Sequence, residues 1–336
     1  MPERRRSDSP EWTDADAYVG DDDDEFFREL DGRRFNAMVP RYLLPADEDE
    51  IRRYELFHRM FQFVADANYV GPVREVLVDS TASRRKRVLD VGTGSGQWAI
   101  EMADEFPKVD VVGCDCAPIQ PREVPPNCTF ELCDVSEGLP YPDACFDLVH
   151  ARSIHIGISD YPRFIREAAR VLRPGGLLIL IEPDVRPDTI LGKRPPSSIA
   201  FPTPSHGASG TPGWTALVNA QRRALERLGV DPDVPHKLGQ IVVRTGAFDR
   251  PRTIALEADC PVGFHPKDPT LLSIGQLAWM NYDLLLPALR TYLASSDLPD
   301  WQIDVLIEDA QRDLYYPVVR LSCRLHIVHA IRSGHP

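Results

Sequence analysis

The first chemical signal is the run Val88-Leu89-Asp90-Val91-Gly92-Thr93-Gly94-Ser95-Gly96. An apolar strand leads into Gly-x-Gly-x-Gly, and a helical pattern follows. Glycines there let the chain turn tightly and let a bulky ligand reach main-chain N–H groups. A dinucleotide loop would read Gly-x-Gly-x-x-Gly and sit against a pyrophosphate. Here the third glycine comes one residue early, and Asp90 stands just ahead of the loop. A carboxylate there repels a pyrophosphate. It accepts hydrogen bonds, directly or through water, around a cationic amino-acid head group.

Two more carboxylates follow at the ends of strand-like runs. Asp115, 25 positions after Asp90, ends the second run. It reads as the acceptor for two ribose hydroxyls or as a helix N-cap. Asp134 ends the third run and can reach an adenine amino group, with Val135 as an apolar wall. A nucleoside with an ammonium head group and no phosphate is S-adenosylmethionine, which these features favour over NAD. His155 and Glu182 follow the fourth and fifth runs and are the candidate bases. Both belong at the carboxyl ends of strands, where such sheets bind ligands. A hydrogen-bonded pocket histidine and a loop-shaping Glu182-Pro183-Asp184 are the alternatives. No metal-ligating set is read. Cys114-Asp115-Cys116 has the wrong spacing for a zinc knuckle and no second pair.

The elements that position these residues alternate. Strands are expected over 88–91, 109–114, 129–132, 146–151 and 177–181. Helices are expected over 98–106 and over 161–172, the latter stopped by Pro174-Gly175-Gly176. Fully apolar strands separated by helices indicate a parallel sheet covered on both faces. Upstream, Tyr54, Phe57, Phe61 and Val64 recur on one helical face between Asp47 and about Asn68. In the second half, 184–213 reads as a loop. Helices are expected over 214–228, 237–245, about 269–293 and 299–316, with strands over 252–258 and 318–330.

The chain has 336 residues, 43% hydrophobic and 26% charged, as in a globular protein. Its formal charge is −13, of which −9 lies in residues 1–50. The near-neutral remainder offers no global drive toward DNA or anionic lipid. Residues 1–45 read as an acidic, disordered segment and 46–336 as one domain. No apolar run reaches the length of a membrane span, and Met1-Pro2-Glu3-Arg4-Arg5-Arg6 opens no secretory signal. Seven cysteines, several in apolar strands, read as free thiols in a reducing compartment. The expected location is cytoplasmic, with a nuclear one as the alternative.

These residues match a family. The glycine loop, the acidic end of the second strand, Cys133-Asp134, Phe146-Asp147-Leu148-Val149 and Leu172-Arg173-Pro174-Gly175-Gly176 resemble class I methyltransferases. Asp90 through Ala103, Pro118-Ile119-Gln120-Pro121, Val124-Pro125-Pro126-Asn127-Cys128, His150-Ala151-Arg152 and Tyr69-Val70-Gly71-Pro72-Val73 resemble the fungal LaeA-like group more narrowly. The resemblance covers roughly residues 50–185. It implies a Rossmann-like α/β fold. Its seven-stranded, mostly parallel sheet has helices on both faces and a final hairpin from the 252 and 318 strands. A helical lid would come from insertions about 186–235 and 263–316. The resemblance implies cofactor contacts at Gly92, Gly94, Asp115 and Asp134, with Arg152 toward the methionine end or, alternatively, in a structural ion pair; with Asp90, Gly96 and Val135 these form the expected cofactor-binding set.

The inserts contain Phe201, Trp214, Phe264, Trp279, Met280, Tyr282 and Trp301, as an apolar substrate pocket or as the lid's own core; His206 sits in a Pro/Ser/Gly loop. The leading expectation is O-methylation of an uncharged secondary metabolite in a fungal pathway. The alternative is a nuclear regulator of secondary metabolism acting through protein partners, helped by the acidic tail. A binding module without turnover is a third reading. Nucleic-acid methylation is disfavoured: Ala151-Arg152-Ser153-Ile154 stands where an Asn-Pro-Pro-Tyr-type motif belongs, and there is no basic stripe.

Overall fold

The structure, a computed structural model, describes residues 23–78, 84–185 and 211–334. Its first elements are the hairpin strands β1 (Phe27–Leu30) and β2 (Arg33–Asn36), joined by Asp31-Gly32. Both turn residues have positive φ, 51° and 72°. An Asp-Gly pair suits that geometry because Asp tolerates it and Gly has no side chain to resist it. Arg34 lies 3.7 Å from the centre of the Phe27 ring. Arg33 donates two hydrogen bonds to Asp47, at 2.6 and 2.7 Å. Phe35 is 1% exposed, and Leu43 and Leu44 join the core.

The expectation of a disordered 1–45 segment is therefore corrected for residues 27–45. The acidic composition masked an Asp-Gly hairpin and the apolar residues it anchors. Arg4-Arg5-Arg6 and the rest of residues 1–22 lie outside the described residues.

Asp47 then caps α1 (Glu48–Ala65), accepting from the Glu50 N–H at 3.2 Å. Glu48, Asp49 and Glu50 fill its first turn, where carboxylates meet the positive end of the helix dipole. The 54/57/61 face turns inward, with Phe57 and Phe61 buried. The short α2 (Val73–Leu77) follows.

The main sheet has seven strands. Five are parallel: β3 (Lys86–Val91), β4 (Val109–Asp115), β5 (Cys128–Leu132), β6 (Phe146–Arg152) and β7 (Leu172–Pro183). β8 (Phe248–Val262) and β9 (Leu321–Arg332) form the final antiparallel pair. The order is β5-β4-β3-β6-β7-β9-β8. From β3 the chain first builds outward through β4 and β5, then returns to the other side with β6, so the order reverses at β3.

Side chains alternate between two cores. Val88, Leu148, Ile179 and Ile181 face one, with Phe61 and Trp98. Leu89, Val149, Leu178 and Leu180 face the other, with Phe164 and Leu238. The covering helices between strands are α3 (Gln97–Glu105) and α4 (Tyr161–Val171). Pro174-Gly175-Gly176 does not separate helix from strand as expected. β7 already begins at Leu172, and its pairing shifts from Phe146↔Leu172 to Leu148↔Leu177. The three residues bulge out of the ladder, as a missing proline donor and a left-handed Gly175 (φ 80°) dictate.

The second half adds α5 (Pro212–Arg227), α6 (Val234–Arg244), α7 (Pro269–Ala288), α8 (Arg290–Ala294) and α9 (Asp300–Tyr315). The single helix expected over 269–293 is divided at Leu289 into α7 and α8. α7 packs on α1, and α5 on α9. Phe201 and His206 lie outside the described residues. Among those described, no helix is long and apolar enough to cross a membrane.

Phe35 gives a direct test of the N-terminal packing. Phe35→Ala should lower unfolding stability by about 3–5 kcal/mol, the usual cost of emptying a buried aromatic site. Urea denaturation reads this; an unchanged midpoint would mean the hairpin contributes nothing to the fold.

Candidate active site

The glycine loop leaves β3 at the point where the strand order reverses, which in open α/β sheets is where ligands bind. Gly92 and Thr93 both donate to the Cys114 carbonyl, at 2.8 and 3.0 Å, fixing the loop to β4. Gly92 has φ 67°, and a Cβ there would come within 2.4 Å of Ile154. No side chain fits.

The loop borders an open-mouthed cavity with about 980 Å³ of empty space, its solvent-open mouth included. Asp90, Gly92, Gly94, Asp115, Asp134, Val135 and Arg152 all line it. Gly96 does not: it stands at the start of α3, and the Phe130 ring fills the place its Cβ would take. Its absence of side chain serves helix-against-strand packing.

Each lining carboxylate is held in place. Asp90 bridges Thr93 Oγ1 (2.6 Å) and His150 Nδ1 (2.7 Å), and His150 stacks on Trp98 with centroids 3.9 Å apart. Asp90 thus braces the loop from below. Asp115 accepts from Gly94 N–H at 2.8 Å and Ala117 N–H at 3.2 Å, and its burial raises its pKa. Asp134 accepts from Ser136 N–H at 2.9 Å. Val39, Tyr42, Tyr54, His58 and Ser153, which no sequence motif marks, also line this cavity. The Tyr54 ring lies against Gly94, and its hydroxyl meets that of Tyr42 at 3.2 Å. Only the helical face of Tyr54 signalled that placement.

Arg152 adds a guanidinium to this wall. Its Nη2 donates to His58 Nδ1 at 3.0 Å. Arginine has no acceptor, so His58 must be the Nε2–H tautomer, and it donates to Glu101 Oε2 at 3.0 Å. The guanidinium lies 5.9 and 5.3 Å from the Phe57 and Phe61 rings. Burial pulls its pKa down to about 10. Its Nη1 is buried with no hydrogen-bond partner among the described residues.

These residues fit S-adenosylmethionine. The orphaned Nη1 suits the carboxylate of the methionine end, the side-chain-free loop admits the body of the ligand, and the remaining lone pairs of Asp115 and Asp134 suit the sugar and the adenine amine. Val135, Ile154 and Ile158 supply an apolar wall.

A second cavity, with about 920 Å³ of empty space when its open mouth is included, adjoins the first, sharing Phe57 and Ser153. His155, Arg53, Trp214, Gln221, Asn281 and Tyr282 line it. The two expected bases come together here. His155 Nδ1 lies 2.9 Å from Glu182 Oε2. Glu182 also accepts from Tyr161 Oη at 2.9 Å and from the Ile154 and His155 N–H groups at 3.3 and 3.4 Å. Burial and the neighbouring Glu182 push the Tyr161 pKa up, so the phenol stays a donor. Glu182 is 0% exposed and fully engaged. His155 Nε2 is buried and has no partner among the described residues.

Ser153, between the cavities, holds φ 60°. This left-handed conformation is costly for serine by about 1–3 kcal/mol. It turns the chain so that Ile154 meets Gly92 while His155 meets Glu182. Of the expected lid aromatics, Trp214 and Tyr282 line the second cavity, packed edge to face at 4.8 Å. Trp279 instead packs with Phe264 and Tyr315, and Trp301 is 68% exposed. Met280 lines neither cavity.

Two measurements follow. In calorimetry with S-adenosylmethionine, Gly94→Arg should abolish binding, and Asp115→Ala should cost about 1–3 kcal/mol, typical of an unpaired buried group. Wild-type affinity in both variants would count against this cavity. Acid should also destabilise the fold. Burial lowers the pKa of His58 and of His150, so below the ordinary imidazole value of about 6.5 the unfolded chain binds protons that the native chain refuses. Stability then rises with pH across that window, and the urea midpoint should be lower at about pH 5.5 than at about pH 7.5.

Comparison with known proteins places the chain in a family. A family model described as a methyltransferase domain matches residues 88–176. The chain is 32% identical over 309 residues to the secondary metabolism regulator laeA of Coprinopsis cinerea, covering 91% of this chain and 74% of that one. It is 29% identical over 299 residues to the secondary metabolism regulator LAE1 of Cochliobolus heterostrophus, covering 87% and 90%. It is 31% identical over 258 residues to the methyltransferase pytC of Aspergillus terreus, covering 75% and 70%. With the cavity at the reversal of the sheet and a relative this similar across most of its length, the chain belongs to the class I S-adenosylmethionine-dependent methyltransferases, in their LaeA-like group.

Proposed function

We propose that the protein methylates a hydroxyl of a small secondary metabolite held in the second cavity, with His155 as general base. The observation that carries this is the pairing of a buried, unpartnered His155 Nε2 with a fully engaged Glu182 on a cavity that touches the cofactor cavity at Ser153 and Phe57. When bound, the cofactor supplies a methyl group on a sulfonium, which is already electrophilic. The protein's part is to orient the acceptor and take its proton.

Glu182 is a positioning residue. It holds the Nδ1–H tautomer and so leaves the Nε2 lone pair for the acceptor hydroxyl. Its charge then stabilises the imidazolium that forms. Tyr161 Oη and two backbone N–H groups keep the carboxylate from turning. Trp214 and Tyr282 offer aromatic surface, while Gln221 and Asn281 offer amide groups to a partly oxygenated acceptor.

The relatives support two readings. One is named a methyltransferase and two are named regulators of secondary metabolism. A further relative, laeA of Emericella nidulans, is named a protein-methionine methyltransferase, at 33% identity over 172 residues. A thioether has no proton to lose, so methylating it needs no base. The His155–Glu182 pair therefore favours a protic acceptor over methionine. A role as a nuclear regulator acting through protein partners is the second reading, favoured by the names of the relatives.

Labelled cofactor with a panel of phenols and with nuclear extract separates these readings. Label should enter a small molecule rather than protein. His155→Gln should lower kcat by about 10²–10⁴-fold, the usual range for a lost general base. Cofactor affinity should be unchanged, and part of the rate should return at high pH. Label entering only protein, or a fully active His155→Gln, would overturn the proposal.

A further inference from the structure

The molecule holds a second cluster of ligating groups, beside the second cavity and outside the His155–Glu182 pair. Asp184 follows β7 directly, His236 sits in the first turn of α6, and His326 lies on β9. One ligand atom from each lies within 4.8 Å of the other two. Asp184 Oδ2 is 2.5 Å from His236 Nε2 and 3.3 Å from His326 Nε2. The two imidazole rings meet edge to face, 4.4 Å apart. The Asp184 side chain is fully buried and that of His326 nearly so. His236 is partly exposed, so the cluster has a route from solvent.

Protons alone satisfy this arrangement poorly. Both Nε2 atoms face one oxygen, which can accept from both only if each ring carries its proton on Nε2. The His236 contact is shorter than an ordinary N–H···O bond, and its Nε2 lacks hydrogen-bond geometry. On its other side, His326 Nδ1 faces Glu257 Oε1 at 3.5 Å. A proton on Nδ1 toward Glu257 and another on Nε2 toward Asp184 would make His326 a buried cation.

A metal ion removes the conflict. Two Nε2 lone pairs and one carboxylate oxygen then point at a shared cation, and the His326 Nδ1–H remains for Glu257. That is the carboxylate–histidine–metal arrangement which fixes the tautomer of a ligating imidazole. Tetrahedral ligands about 2.1 Å from an ion lie on the order of 3.4 Å from one another. The His326 spacing already matches, and His236, on the exposed side, has room to open.

We propose that Asp184, His236 and His326 form a binding site for a divalent transition-metal ion of the zinc type, with Glu257 orienting His326. Two imidazoles and one carboxylate suit such ions better than calcium or magnesium, which prefer all-oxygen sites. Three protein ligands leave a position for water or for a ligand oxygen. Asp184 is itself part of the wall of the second cavity. The site stands independently of the reaction proposed above.

The test is a cobalt(II) titration of the full chain after chelator treatment and dialysis, read by visible absorption. One ion per chain should bind, with the d–d bands of a four- or five-coordinate ion and no thiolate charge-transfer band. The last point separates this site from the seven cysteines. His236→Ala and His326→Ala should each weaken binding at least tenfold, and the rise in melting temperature given by zinc(II) should vanish with it. If the buried His326→Ala fails to fold, His236→Ala on the partly exposed helix decides alone. Its S-adenosylmethionine affinity should stay at the wild-type value, so failure here is distinct from failure of the cofactor cavity. No saturable cobalt binding, unchanged binding in His236→Ala, or a thiolate band would overturn the proposal.

Discussion

The bend after β3 must be made without side chains, and much of the molecule is arranged around that constraint. Gly92 stands within reach of Ile154 from β6's far end, and Gly94 within reach of Tyr54 from α1. Two elements thus close on the loop from opposite sides, and any Cβ would push one of them away. The Cys114 carbonyl on β4 anchors the bend by two N–H bonds, and Asp90 braces it through Thr93 and His150. The loop is therefore preorganised by β4, β6 and α1 together. Its backbone conformation is a result of their packing as much as of its glycines.

The same region concentrates unmet polar demand. Folded proteins pair nearly all buried polar atoms, because an unpaired one costs about 1–3 kcal/mol. Among the described residues, His150 Nε2, Arg152 Nη1, Ser153 Oγ and His155 Nε2 are buried without partners, and all four belong to residues within a six-residue stretch. That stretch runs from the end of β6 into the turn that separates the two cavities, and it includes the strained Ser153. A stable fold tolerates such a cluster where ligands supply the missing partners. The pattern lies along the seam of the two cavities, with an arginine lining the first and a histidine lining the second.

The sheet and the cofactor loop were legible because their signals are local. Largely apolar strand runs, a glycine triplet and the carboxylates Asp90, Asp115 and Asp134 near strand ends need no knowledge of distant packing. Local signals fall short where an outcome depends on partners far along the chain. Gly96 looks like its two neighbours in sequence, yet Phe130 decides that it packs against a strand. The acidic N-terminal stretch looks unfolded by composition, yet an Asp-Gly turn and the Arg33–Asp47 pair set Phe35 into the core. His155 and Glu182 were found separately, from their positions after two strands. Their pairing, and the fact that Glu182 has no capacity left for substrate, emerge only from the register of β6 against β7. The Asp184, His236 and His326 cluster spans 142 positions of sequence with no motif spacing, so no local pattern announces it.

The N-terminal segment links these observations. Val39 and Tyr42 follow the hairpin and form part of the cofactor cavity wall, while Leu43 and Leu44 reach the core beside α1. Tyr42 also touches Tyr54, which lies against Gly94. A ligand in the cavity would contact a wall built partly from this segment, so its binding energy and the segment's docking energy share the same surfaces. By linkage, a ligand that binds only the docked form stabilises it in proportion to the logarithm of its concentration over its dissociation constant. The segment is in that respect part of the binding site, and loosening its packing at Phe35 lowers ligand affinity by the fraction of chains it leaves undocked, even though Phe35 lines no part of the cavity.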